Sequence, residues 1–509
     1  MKIAVILLLL LCAGVLPAVP LYSEPAGCAR GEWRLSSRVK MEAEADGSAV
    51  LRVAVPEAEK DGQFFAVRKI DLKPFRGRPV ILRAEVKAVE VSRPAQHWNG
   101  VKVMLHCKTP SVEFWRNPMG LCGTFDWQCV ETRLTVPHDA DEGEVSLGLQ
   151  GSSGTLLIRN WELIAGELPY RLSENFKAEY TERVSGVPVL RGMMSPEQLR
   201  DGDLEELRSW GANLVRWQII RNWLATGTDR DPEEYLGWFR SKLDELDRAL
   251  ELCRGLGLKL VIDLHAPPGG RHAGSDYEVA LFHEPDYAEM FYELWEEIAK
   301  RYKGHPAVWG YDIMNEPVQA RWPAAVDYQT LCYETARRIR AVDPEVPIIV
   351  ESADWASPKG FAELQPLPFP NIVYQVHMYL PHKFTHQDVG AHRHSPPVSY
   401  PGVFDGVEYD REQLKRELRP VREFQERCGA RIYVGEFSAA RWAPGAAQYL
   451  EDVISICEEY GWDWSYHAFR ESDVWNVEMT GTRANPGRPA EDTDRKKVLL
   501  KYFKLNGAK

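Results

Sequence analysis

The chain reads as an α/β protein in which an all-β sandwich precedes a closed (β/α)8 barrel. Three observations predict this. The hydrophobic period is two from about Trp33 to Ile164, it changes near Val187 to short apolar runs alternating with helical stripes, and eight of those runs fit into ~320 residues. A length of 509 residues also exceeds one ordinary domain. The expected bounds are 1–23 for a leader, 30–166 for the sandwich and 180–509 for the barrel.

The leader comes first in the chain. Lys2 precedes a nearly unbroken apolar run, Ile3 to Val19, with small residues near its end. This pattern reads as a secretory signal peptide. The run is slightly short for a membrane span, which takes about 20 residues. No second long apolar run follows, so the expected product is secreted or periplasmic, with no membrane partner after signal removal. Export permits disulfides. Cys107, Cys122 and Cys129 are candidates, with the pairing open, while Cys253, Cys332, Cys428 and Cys457 sit on apolar helix faces as buried thiols.

In the sandwich region Leu82, Ala84, Val86 and Ala88 alternate with Arg83, Glu85 and Lys87. Val145, Leu147 and Leu149 alternate in the same way, and Gly151 to Gly154 signals a hairpin before Leu156 to Leu163. The pattern resembles the jelly-roll modules that accompany carbohydrate-active enzymes. Trp98, Trp115 and Trp127 are candidates for a sugar platform there, or for core.

The barrel strands are expected at Val189–Gly192, Asn213–Ile219, Leu260–His265, Val308–Met314, Ile348–Glu351, Ile372–Met378, Ile432–Phe437 and Trp464–Phe469. Helical patterns lie between them. Leu243, Leu246, Leu250 and Cys253 form one apolar stripe, closed by Gly255 and Gly257. Apolar strands alternating with helices imply a parallel sheet covered on both faces. An open doubly wound sheet is disfavoured, because no GxGxxG or phosphate-binding loop follows the early strands.

Active sites of such barrels form at the C-terminal strand ends. Strand two ends near Arg216, strand three in Asp263-Leu264-His265, and strand four in Asn315-Glu316-Pro317. Strand six ends in His377-Met378-Tyr379 and strand seven in Gly435-Glu436-Phe437. Two glutamates facing each other are what cleavage of a glycosidic bond requires: one gives a proton to the departing oxygen, the other attacks the anomeric carbon. Their environments must push their proton affinities apart. Arg216 would hold one of them ionised, and Asn315 is suited to bind a neighbouring sugar hydroxyl.

The segment Tyr311-Asp312-Ile313-Met314-Asn315-Glu316-Pro317 resembles the acid/base strand of glycoside hydrolase family 5, which includes many cellulases. The resemblance runs through the barrel. Arg191-Gly192 is similar to the family's first-strand motif, Arg216 to its second-strand arginine, and Asp263-Leu264-His265 to its third-strand histidine. His377-Met378-Tyr379 is similar to its His-x-Tyr pair and Gly435-Glu436-Phe437 to its nucleophile strand. The resemblance implies a TIM barrel and a retaining hydrolase, with Glu316 as acid/base and Glu436 as nucleophile. Tyr379 and Arg216 would hold Glu436, and His265 and His377 would line the sugar site. No metal or organic cofactor is implied. One departure stands out. The family's sugar-stacking tryptophan at the end of strand eight falls near position 467, which is His467. Either Trp464 or Trp475 takes over the stacking, or the sugar differs.

The net charge of −12 disfavours a nucleic-acid or anionic-membrane partner, and a neutral polysaccharide or oligosaccharide fits better. The leading expectation is an endo-acting β-1,4-glucanase. The same chemistry on mannan, exo action on short oligosaccharides, and a non-catalytic carbohydrate-binding protein are the alternatives. The loops after strands three and six are long. The second holds His382, His386, His392 and His394, which are expected to bond sugar or solvent. Trp355 and Trp442, past strands five and seven, are candidates for stacking on flanking sugars or for rim packing.

Overall fold

A computed structural model describes residues 20–23, 33–43, 49–195, 199–221, 229–272, 277–319, 322–482 and 492–507. The apolar leader, Ile3 to Val19, lies outside these residues. The chain divides into two compact units, one of 1–108 with 114–167 and the other of 109–113 with 168–509.

The first unit is built from two antiparallel sheets. One runs Val39–Ala43, Ala49–Val55, Gly154–Ala165, Pro79–Val91 and Gly123–Thr135 in spatial order, with Pro20–Ser23 also paired to Gly154–Ala165. The other runs Arg34–Leu35, Gln63–Asp71, Glu142–Gln150, Gly100–Lys108 and Glu113–Arg116. Alternation works as expected: Leu82, Ala84, Val86 and Ala88 are buried, as are Val145, Leu147 and Leu149. The turn at Gly151–Gly154 differs from expectation. It joins Glu142–Gln150 to Gly154–Ala165, which belong to different sheets, so it is a crossover and no hairpin. Turn residues reverse the chain direction; they do not decide whether the flanking strands pair or face each other across a core. Cys122 and Cys129 are free thiols, so no disulfide joins Cys107, Cys122 and Cys129 to one another.

The second unit contains eight parallel strands closed into a barrel: β1 (Arg191–Met194), β2 (Leu214–Gln218), β3 (Lys259–Asp263), β4 (Val308–Asp312), β5 (Ile348–Glu351), β6 (Ile372–Met378), β7 (Arg431–Phe437) and β8 (Asp463–Tyr466). Closure is made by β8 on β1, with Arg191 opposite Trp464. The helix Pro232–Leu256 begins at an Asp231 cap and ends at Gly257, which takes the left-handed conformation; Gly255 lies inside the helix. Its predicted stripe, Leu243, Leu246, Leu250 and Cys253, is fully buried. The β5–β6 connection carries only a 3₁₀ turn, Pro358–Ala362, where the regular pattern would place a helix.

Inside the barrel the two ends differ. Leu214, Val261, Trp309, Ile349, Val373 and Tyr433 form an apolar layer closed from below by Val184 and Leu190. The next inward residues on the same strands are polar: Arg216, Asp263, Asp312, Glu351 and Gln375. Register shifts in β4 and β7 alter this spacing. Leu260 pairs with Val308 but Val261 with Gly310, and Val376 pairs with Val434 but His377 with Glu436. Such bulges re-aim side chains. In β7 the extra residue is Gly435, where a Cβ would stand 2.2 Å from the Gln375 side-chain oxygen, so a larger residue would have to displace Gln375.

Candidate active site

Arg216 is the centre of the upper layer and has no exposed surface. Its Nη1 donates to Glu436 Oε1 at 2.6 Å and its Nε to Asp312 Oδ2 at 2.8 Å. Its Nη2 donates to Asn315 Oδ1 at 2.9 Å, and stands 3.2 Å from both Glu351 Oε1 and Asp263 Oδ2. A buried cation is tolerable only with such partners. Burial works against the Arg216 charge, and the four surrounding carboxylates outweigh it and raise its pKa well above the ordinary value. Burial likewise drives the Asp312 carboxyl well above the usual carboxylate range, despite Arg216.

Glu436, at the end of β7, is 4% exposed. Tyr379 OH donates to its Oε2 at 2.8 Å, and His377 Nδ1 and His467 Nδ1 each lie 3.8 Å from the same oxygen. Burial pushes its carboxyl up, but His377, His467 and Arg216 together hold it well below the usual range. It is therefore ionised throughout the neutral and mildly acidic range.

Glu316 follows β4. Its backbone sits in the left-handed region, φ 44°, which costs a non-glycine residue on the order of 1–3 kcal/mol. Its N–H donates to Glu351 Oε2 at 2.5 Å, which pins this conformation. Its Oε1 lies 3.0 Å from His377 Nδ1. One carboxylate oxygen each from Glu316 and Glu436, and one ring nitrogen of His377, all fall within 4.8 Å of one another. Within the trio only His377 and Glu316 are at hydrogen-bond distance, since His377 Nδ1 stands 3.8 Å from Glu436 Oε2. His377 loses charge preference through burial, but Glu436, Glu351 and Glu316 raise its pKa well above 6.5.

The histidine after β3 is oriented by donor bookkeeping. Asn315 Oδ1 accepts from Arg216, so the amide nitrogen is the atom facing His265 Nε2 at 3.0 Å. His265 Nε2 then accepts, and Nδ1–H donates to Asp263 Oδ2 at 2.8 Å.

The structure thus brings together Arg216, His265, Asn315, Glu316, His377, Tyr379, Glu436 and His467. Trp464 does not belong with them. It is 0% exposed, stacks on Phe503 and donates its indole N–H to Glu458, so it packs the barrel's outer layer and cannot meet a sugar. The cause is alternation: in β8 the side chains of Trp464 and Ser465 point to opposite faces. Trp475 is 7% exposed and lies edge-on against His386 and His467. Arg191 is bonded to Glu458 away from the site. Trp355 lies beside Tyr277 and the Arg271 guanidinium, while Trp442 donates its indole N–H to the Gln387 carbonyl. Burial holds the His386 imidazole down at about 3.

Several partners were missed in the sequence. Glu351 is fully buried and joins Glu316, Arg216, Gln375 and His377. It is the polar residue ending an apolar strand, the same signal that identified the others. Arg271 is 3% exposed and donates to the Asn315 carbonyl at 2.7 Å. Glu471 receives His467 Nε2–H at 2.8 Å. These last two sit in loops, where no periodicity points to them.

The family model described as Cellulase (glycosyl hydrolase family 5) matches residues 179–473. "Endoglucanase C" of Acetivibrio thermocellus is 30% identical over 253 residues, covering 44% of this chain and 72% of that protein. "Cellodextrinase A" of Ruminococcus flavefaciens is 30% identical over 271 residues, covering 52% and 72%. A solved structure of Thermotoga maritima Cel5A in complex with a cellobiose substrate aligns with a TM-score of 0.49 at 22% identity, covering 64% of this chain and 99% of that one.

Proposed function

We propose that the chain, which belongs to the cellulase family, glycosyl hydrolase family 5, hydrolyses a β-linked glucan with retention of anomeric configuration, acting as an endo-β-1,4-glucanase. One observation carries this reading: carboxylate oxygens of Glu316 and Glu436 lie within 4.8 Å of one another. Retaining enzymes hold their carboxyl groups about 5 Å apart, whereas inverting enzymes need roughly 6.5–9.5 Å to admit a water.

In the proposed sequence Glu436 attacks the anomeric carbon as the glycosidic C–O bond breaks. Glu316 gives its proton to the departing oxygen. The resulting glycosyl ester is cleaved by water, whose proton returns to Glu316 as Glu436 leaves. Arg216 and Tyr379 each occupy one oxygen of Glu436 and aim it. His265, Asn315 and His377 surround the sugar beside the broken bond. A hydroxyl-binding role for Asn315 is supported by its amide being locked from both sides.

A second reading, action on mannan or exo action on short oligosaccharides, is favoured by His467 standing where the family's stacking tryptophan is expected. We read the apolar leader run, Ile3 to Val19, as an export signal, and the exposed Trp98 and Trp115 of the first unit as a polysaccharide-binding surface. The test is product analysis on cellulose, mixed-linkage glucan, glucomannan, xyloglucan and mannan, with the anomer followed by NMR at early times. Initial β-anomer supports the double displacement. Initial α-anomer overturns it, and the preferred polymer decides between the two substrate readings.

A further inference from the structure

Beyond β8 a chain of polar groups leads to Glu436 from outside the double displacement. Glu471 Oε2 lies 2.8 Å from His467 Nε2, His467 Nδ1 lies 2.6 Å from Tyr379 OH, and Tyr379 OH lies 2.8 Å from Glu436 Oε2. The side chains of His467 and Glu471 are only 14% and 16% exposed.

Proton bookkeeping fixes the directions. Glu436 is held ionised and can only accept, so the single Tyr379 hydroxyl hydrogen goes to it. The Tyr379 oxygen must then accept from His467 Nδ1–H. Glu471 accepts from Nε2–H. Both ring nitrogens are donors, so the ring is an imidazolium in the arrangement observed. Every neighbouring element supports this charge balance. Glu471 faces the ring from its own loop, Glu436 from β7 and Glu316 from the end of β4, and these raise its pKa against the opposing effect of burial. Tyr379 and the neutral His386 approach from the segment after β6, and Trp475 closes the remaining side.

We infer that His467 and Glu471 are positioning residues for the nucleophile: the imidazolium fixes the Tyr379 hydroxyl on Glu436, and loss of its Nδ1 proton removes that constraint and misaligns the nucleophile at alkaline pH. The proton balance is one proton released to solvent from Nδ1, which leaves a bare nitrogen competing with Glu436 for the Tyr379 hydrogen. Glu436 thereby loses a positive charge 3.8 Å away and sole hold of that hydrogen. The inference rests on the proposed role of Glu436, and it departs from a stacking role at this position.

The experiment is the pH dependence of Glu436 labelling by 2,4-dinitrophenyl 2-deoxy-2-fluoro-β-cellobioside, with the labelled residue identified by mass spectrometry. This leaving group needs no protonation, so Glu316 contributes no alkaline limb. The expected result is an alkaline limb in wild type and in Glu316→Ala alike. In Glu471→Gln the limb moves about one pH unit lower, a roughly tenfold fall at fixed alkaline pH. Nitrogen-15 NMR of His467 should show two protonated ring nitrogens at neutral pH, which a merely structural histidine would not require. Labelling of Glu436 without an alkaline limb, or with a limb that Glu471→Gln leaves in place, overturns the inference and spares the nucleophile assignment. Labelling of another residue, or none, overturns both.

Discussion

The two ends of the barrel interior are made by the same strands two or three residues apart, yet they obey different chemistry. The lower layer, Leu214, Val261, Trp309, Ile349, Val373 and Tyr433, is apolar and closed. The upper layer places Asp263, Asp312, Glu351 and Glu436 around one buried arginine. Dispersion and exclusion of water hold the lower end, and each side chain there is replaceable by another of similar volume. The upper end depends on directed hydrogen bonds whose partners come from strands β2 to β7 and from the loops beyond them, and no member can change charge without disturbing the rest. Stability is concentrated in the first and reactivity in the second, the division usual for this architecture.

Substitutions at the two ends should therefore fail in different ways. The largest effect is expected for Glu436→Gln, which should lower kcat by roughly 10⁴-fold or more in a protein that still unfolds cooperatively, with a modestly lowered thermal midpoint at neutral pH. A midpoint collapse with residual turnover would place Glu436 in the scaffold instead. Glu316→Ala should cost about 10²–10⁴-fold on polysaccharide but spare the first step with activated aryl glycosides. Equal losses on both substrates would reject the acid role. At the other end, Trp309→Ala should remove about 3–5 kcal/mol of stability, measured by denaturant unfolding, with kcat/KM retained below the new midpoint.

Glu351→Gln sharpens the contrast, because Glu351 meets the backbone of one glutamate and the arginine that holds the other. It should lower kcat by roughly 10²-fold through misplacement, with KM little changed. Ile349→Val, two residues earlier on the same strand, should cost only about 1 kcal/mol and no activity.

The smallest expected signal is in pH. The Glu436 carboxyl is depressed, so it contributes stability that is full above the ordinary glutamate pKa of about 4.3 and is lost as pH falls through the lower folded value. Below about pH 4 the wild-type midpoint should fall faster than that of Glu436→Gln. The Trp309→Ala deficit should stay constant across the same range. Parallel acid slopes for wild type and Glu436→Gln would show that the upper end carries no such linkage.

Much of this was legible in the sequence because it depends on local order. Eight apolar runs marked the strands, and polar residues after them marked Arg216, His265, Glu316, His377, Tyr379 and Glu436, since backbone alternation and strand direction alone put those residues at one rim. The helix end at Gly257 was equally local, whereas its start at the Asp231 cap was not identified. Tertiary structure decided the rest. It alone determined that Gly151–Gly154 crosses between sheets, that Trp464 faces outward while His467 reaches Tyr379, and that Arg271 and Glu471 join the site. Each of these depends on which distant segments lie side by side, and on bulges that shift the inward-facing residue by one position. Hydrophobic periodicity records how a strand is buried, but it carries no record of its neighbours, and the hydrogen bonds that aim two carboxylates are made between neighbours.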